Sequence, residues 1–220
     1  MKHVFLLMMS AFCFYSLTQA QNEKYVKAME QKIAEIKEPM TAEAWLATAN
    51  GFERIGDVEK NQWLPYYYAS YGHIMRGYML SSGKQGDFSA ITDPEADKAE
   101  ALLAKAEALS KDNSEIFILK KMIATLRLSA DPMNRWQTQL PLATEAMATA
   151  KKLDPENPRI TLLEAQDKIF TPEEYGGNKA EGKKLLEDAI KKFETKKPES
   201  SISPSWGLSQ AKYFLQQASN

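Results

Sequence analysis

Slid against itself by 44 residues, the chain falls into register, and that self-similarity restricts its fold more than any other feature. Ala99, Ala104, Ala106, Leu109, Asn113, Ile116 and Leu119 meet Ala143, Ala148, Ala150, Leu153, Asn157, Ile160 and Leu163, while Leu103 meets Met147 and Ile118 meets Leu162. Seven identities in a 21-residue window compare with roughly one or two expected from ordinary composition. Alanines mark where two helices approach closely, the leucine closes a helix, the asparagine caps the next, and Ile and Leu begin its buried face. A helix, turn, helix unit is therefore present twice.

Helix formers dominate the rest of the chain after Gln21, and no run of alternating β-branched residues reads as a strand, so the fold class is all-α. Tyr25, Met29, Ile33 and Ile36 share one helix face up to Pro39. Thr41 caps a second helix that turns Trp45, Ala49, Phe52 and Ile55 inward. A third helix runs from near Gln62 to about Leu80 and tolerates Pro65 in its first turn. Asp93 and Pro94 read as the N-cap and first residue of a fourth helix, which ends at Ser110. Asn113, Asn157 and Asn178 read as caps of later helices, giving eight or nine helices in all.

Here the chain resembles a known family. Ala143, Met147, Ala150 and Pro155 are spaced like the second helix and terminal proline of a tetratricopeptide repeat, with Asn157 and Pro158 opening the next unit. Ala99, Leu103 and Ala106 resemble an earlier copy with Lys111 in the proline's place, and Gly182, Leu186 and Ala189 a weaker third. The intervals of 44 and 39 residues exceed the family's 34, and the signature tryptophan, glycine and tyrosine of the first helix are mostly missing. The resemblance implies a divergent right-handed superhelix of antiparallel hairpins over residues 21–220, with a protein segment or peptide held on its concave face.

The first twenty residues have the parts of a secretory signal: basic Lys2, an apolar run from Val4 to Leu17, and small Thr18 and Ala20 before the cut. The run is shorter than the roughly 20 residues that span a bilayer. Bulky Phe12 ahead of Cys13 argues against lipidation. Cleavage after Ala20 removes Cys13, the chain's single cysteine, and leaves 27 basic against 29 acidic residues, a net charge of −2 without a basic stripe. Nucleic-acid binding lacks its electrostatic footing, no later stretch is apolar enough to span a membrane, and a periplasmic or secreted protein is expected.

Catalytic chemistry lacks parts as well. His73 is the one histidine left after Ala20, no thiol remains, and neither Gly-x-Ser-x-Gly nor His-Glu-x-x-His occurs. Glu173 and Glu174 read as solvated loop carboxylates. No cofactor or metal is expected, and the chain reads as a non-enzyme.

The densest aromatic stretch is Trp63, Tyr66, Tyr67, Tyr68, Tyr71 and Tyr78. Trp63, Tyr67, Tyr71, Ile74 and Tyr78 share a stripe suited to core packing, whereas Tyr66, Tyr68, His73 and Arg76 fall outside it. The repeat resemblance puts Tyr68, Gly72 and Arg76 on the concave surface, so Tyr66, Tyr68, Gly72, His73 and Arg76 are either a partner-binding groove or core. Tyr175 to Asn178 read as a turn with a positive-φ glycine and a cap, or as an anion site at a helix start. With Leu185, Leu186 and Ala189, that segment resembles a hairpin in the helical periplasmic subunit of some TRAP-type transporters, which implies the alternative of a small-solute-binding accessory. The C-terminal stretch reads as a closing helix with Gln210, Lys212, Gln216 and Gln217 outward.

Overall fold

The computed structural model describes residues 22–218 except residue 38; the expected signal segment lies outside the described residues. These residues form nine α-helices and no strand: α1 (22–33), α2 (Ala42–Glu59), α3 (Trp63–Ser81), α4 (Ser89–Leu109), α5 (Ser114–Ala130), α6 (Pro132–Leu153), α7 (Pro158–Phe170), α8 (Lys179–Thr195) and α9 (Leu208–Gln217). From α3 to α6 each helix packs on its predecessor, α3 also meets α5, and α7 pairs with α8, which carries α9. No described helix is long and apolar enough to cross a membrane.

The expected caps are formed by their own side chains. Thr41 accepts the Ala44 N–H, Asn113 that of Glu115, Asn157 that of Arg159 and Asn178 that of Glu181. Each satisfies an amide that the first helical turn leaves without a partner. Gly176 ends a short 3-10 turn at φ 94°, a conformation that favours glycine.

The fourth helix starts earlier than Asp93. Asp87 Oδ1 accepts the Ser89 N–H at 2.8 Å from the preceding turn. The helix begins at Ser89 behind Phe88, an N-cap with no side-chain bond, and takes Pro94 into its interior. There proline deprives the Ala90 carbonyl of its intrahelical donor. Freed from capping, Asp93 forms a two-pronged ion pair with Arg135 of α6 at 2.7 and 2.8 Å.

The repeated alanines divide into two sets. Ala99, Ala106, Ala143 and Ala150 are buried, and their small side chains let hydroxyls reach backbone: Ser70 Oγ donates to the Ala99 carbonyl at 2.8 Å and Ser114 Oγ to that of Ala150 at 3.1 Å. Ala104 and Ala148 instead face solvent, and Leu109 and Leu153 are also exposed. Those four identities follow helix surface rather than packing.

α3 is the axle of the N-terminal half, buried on every side from Pro65 to Ile74. A helix apolar all round belongs in an interior. A Cβ on Gly72 would stand 2.9 Å from the Ala49 Cβ, so glycine sets the close approach of α3 to α2.

Candidate functional site

The five residues singled out by sequence are not gathered on one open surface. Tyr66 is buried, donates to Asp57 Oδ1 at 3.1 Å and has the Lys105 ammonium 4.9 Å from its ring centre. Tyr68 stacks on Phe52 at 4.8 Å and donates to the Ser203 carbonyl at 2.9 Å. Gly72 is taken up by the α2 contact. His73 is 5% exposed, with Nδ1 2.8 Å from Glu95 Oε2 and Nε2 buried without a partner among the described residues. Arg76 pairs with the other oxygen of the same carboxylate. Tyr66 and Gly72 thus serve the α2 side, His73 and Arg76 the α4 side, and Tyr68 the C-terminal segment.

That segment, residues 202–206, lies against α3 and α7. Trp206 stacks on Tyr71 with ring centres 4.6 Å apart and 16° between planes, and its Nε1 donates to the Tyr67 hydroxyl at 2.9 Å. Tyr67 in turn donates to Glu115 Oε2 at 2.6 Å. Glu115 Oε1 accepts from Asn157 at 2.7 Å and from Arg159 at 3.0 Å. Arg159 lies 5.0 Å from the centre of the Trp206 ring and donates its second terminal nitrogen to the Pro204 carbonyl, while its Nε is buried without a partner among the described residues. The expected closing helix α9 is therefore preceded by a plug that fills the space between the hairpins.

Burial shapes the chemistry of this cluster. Desolvation, aided by Glu115, raises the Tyr67 hydroxyl well above the ordinary tyrosine range, and desolvation pushes Tyr68 up to about 12. Burial opposes the Arg159 charge, but Glu115 and the surrounding tyrosines outweigh it and hold the guanidinium more firmly protonated than usual. Apart from Arg159 Nε, the polar ends of the cluster have partners inside the chain, and the cavity beside Trp206, lined by Ile33, Ile36, Tyr68 and residues 205–207 and 209, measures about 100 Å³. Glu115 and Arg159 lie outside the residues expected from sequence, although they stand 44 residues apart, equivalent positions of the repeat carrying opposite charge.

A second region is open. Met133, Trp136 and Leu140, in the first half of α6, are 84%, 53% and 49% exposed. Met133, Leu140 and Met147 follow at intervals of seven, one line along the helix with Trp136 on the same flank. Met147 packs against the core, so the line leaves the interior near Pro141 and continues into solvent. Phe170, at the end of α7, and Tyr175, in the following turn, are exposed as well, Phe170 resting edge-on against Phe214 of α9 at 5.4 Å. Met133 and Trp136 lie outside the residues expected from sequence, and the heptad line of Met133, Leu140 and Met147 is the signal that marks them.

Among the described residues, no group of three or more His, Cys, Asp or Glu side chains is placed to hold a metal ion. Glu173 and Glu174 lie exposed in the 3-10 turn.

No protein-family model matches the chain, and no curated protein sequence matches it. Among solved structures, the HusA haemophore from Porphyromonas gingivalis is 31% identical, with a TM-score of 0.75 over 88% of this chain and 92% of that one. Identity at that level, sustained over nearly the full length of both chains and carried by the same helical fold, places this chain in the same family as the HusA haemophore.

Proposed function

We propose that this chain is an exported, non-enzymatic binding protein whose cargo is haem. The observation that carries the reading is the family likeness to a haemophore over almost the whole chain. It replaces the peptide scaffold as the first choice and keeps the small-ligand alternative, with a haem-class molecule as the solute. In this reading residues 1–20 are the cleaved signal, residues 21–220 are one domain, and the hairpins form a divergent TPR-like superhelix.

Two features suit such a cargo. The open apolar flank of α6 and the exposed aromatics beyond α7 offer hydrophobic surface to a flat, largely apolar ring. His73 is not an iron ligand in this conformation, because Nδ1 is held by Glu95 and Nε2 is buried beneath the surface. Binding through Tyr66, Tyr68, Gly72, His73 and Arg76, whether of peptide or haem, requires the C-terminal plug or the α3–α4 contact to open first.

The test is a titration of haemin into the purified chain from residue 21, followed in the Soret region. A saturable band shift with a defined stoichiometry is expected. A spectrum that remains that of free haemin throughout would remove the proposal.

A further inference from the structure

We infer that the chain is built as two bodies, α1–α6 and α7–α9 with the C-terminal segment, and that the second undocks from the first as a unit, turning on the link at residues 154–157. The packing divides at that link. α5 and α6 lie close along their length, as do α7 and α8, whereas α6 and α7 meet only marginally although four residues join them. α1 belongs to the first body, the stem of its Lys32 lying over Gly51 of α2. Inside that body, small residues bring helix backbones together: Ser70 Oγ reaches the Ala99 carbonyl between α3 and α4, and Ser114 Oγ that of Ala150 between α5 and α6.

Across the seam, long side chains make the bonds instead. Glu115 of α5 accepts from Asn157 and Arg159, Lys121 of α5 donates to Asp167 at 2.6 Å, and Lys151 of α6 donates to Glu164 at 3.0 Å. Further bonds join α3 to the C-terminal stretch, Tyr67 to Trp206, Tyr68 to Ser203 and Tyr71 to Gln210. The seam also holds two defects. The cavity of about 100 Å³ is lined by Ile33 and Ile36 from one body and by residues 205–207 and 209 from the other, and Arg159 Nε is buried without a partner among the described residues. A void forfeits dispersion contacts, and a buried donor without an acceptor costs more than a typical hydrogen bond contributes. Undocking gives water to both, so the seam opens at a lower free energy than the helices on either side of it unfold. The motion leaves α8 holding α7 and α9 and parts Trp206 from Tyr67 and Tyr71 without unfolding either body.

The test is native-state hydrogen exchange, and it is independent of any ligand. In the wild type, the slowest amides of α7 and α8 are expected to exchange at one common rate, at least about tenfold faster than the slowest amides of α3 and α4. Ser70→Ala removes a bond inside the first body and should speed α3 and α4 by about threefold while leaving α7 and α8 unchanged. Glu115→Gln, at the seam, should speed both groups by the same factor, because the undocked and the unfolded states have both already lost the Glu115–Arg159 pair. A single exchange rate for the slowest amides of all four helices would overturn the inference. So would fast exchange confined to residues 202–217, with α7 and α8 as slow as α3, since the C-terminal stretch alone would then open. Acceleration of α7 and α8 by Ser70→Ala would show one cooperative body and overturn it as well.

Discussion

Two aromatic regions of this molecule share much of their chemistry and differ in what completes them. Around Trp206, Tyr67, Tyr68 and Arg159 bond to the chain's own C-terminal segment, and Glu115 is held by Tyr67, Asn157 and Arg159. Around Trp136, an equally apolar surface ends in water. The first region holds the hairpins together; the second is where a ligand adds contacts without displacing any. Aromatic density along a sequence is therefore a poor guide to a binding surface, and the uncovered end of an apolar line is a better one.

The comparison breaks most readily at Arg159. Arg159→Ala leaves Glu115 without its cation and the Pro204 carbonyl without its donor. A loss of about 3–5 kcal/mol is expected for unpairing a buried charge, read as a lowered midpoint in urea unfolding. A change below about 1 kcal/mol would show that the cluster is solvated and the plug loosely seated. Trp206→Ala comes next, with about 3–4 kcal/mol from lost burial and stacking and a weakened near-ultraviolet circular dichroism signal. A change confined to haemin affinity, with stability intact, would reverse the roles assigned to the two regions.

Alkaline titration sharpens the contrast at lower cost to the fold. The folded pKa of Tyr68 lies at about 12, above the ordinary value of 10, so the folded state holds its proton more tightly than the unfolded one. Stability on this account is fully present below pH 10 and falls as pH rises towards 12. A gap of about two units corresponds to roughly 2–3 kcal/mol, and Tyr67 shifts in the same direction. Unfolding free energies measured from pH 8 to 12 check it, and a flat profile would mean that the tyrosines ionise without resistance. The smallest effect is expected at α6: Trp136→Ala should change stability by no more than about 0.5 kcal/mol, as for other surface positions. A loss above 2 kcal/mol would identify Trp136 as a structural contact.

Local structure was legible in the sequence wherever its cause is local. Thr41, Asn113, Asn157 and Asn178 cap as their side chains dictate, and Ala99, Ala106, Ala143 and Ala150 mark helix contacts. The start of α4 was misplaced because Asp-Pro is an equally good opening signal, whereas the helix starts behind Phe88 with no side-chain cap, Asp87 holding the Ser89 N–H from the preceding turn. Periodicity marked Tyr67 and Tyr71 as inward. It put Tyr68 outside the inward stripe, whereas Tyr68 is buried and bonded to the carbonyl of Ser203, 135 residues away in sequence. The α6 surface was hidden for a related reason: an apolar line reads as core whatever packs on it, and its exposure depends on tertiary packing. Glu115 and Arg159 show that long-range pairing sometimes leaves a trace, as a charge reversal between equivalent repeat positions.

The most direct test of the division between a closed and an open aromatic region is an amide and indole chemical-shift map recorded while a metal-free porphyrin is titrated into the labelled chain. The account predicts shifts concentrated in residues 132–140, with the Trp136 indole among the largest, and an unmoved Trp206 indole. Shifts centred on Tyr67, Tyr71 and Trp206, with α6 silent, would contradict it.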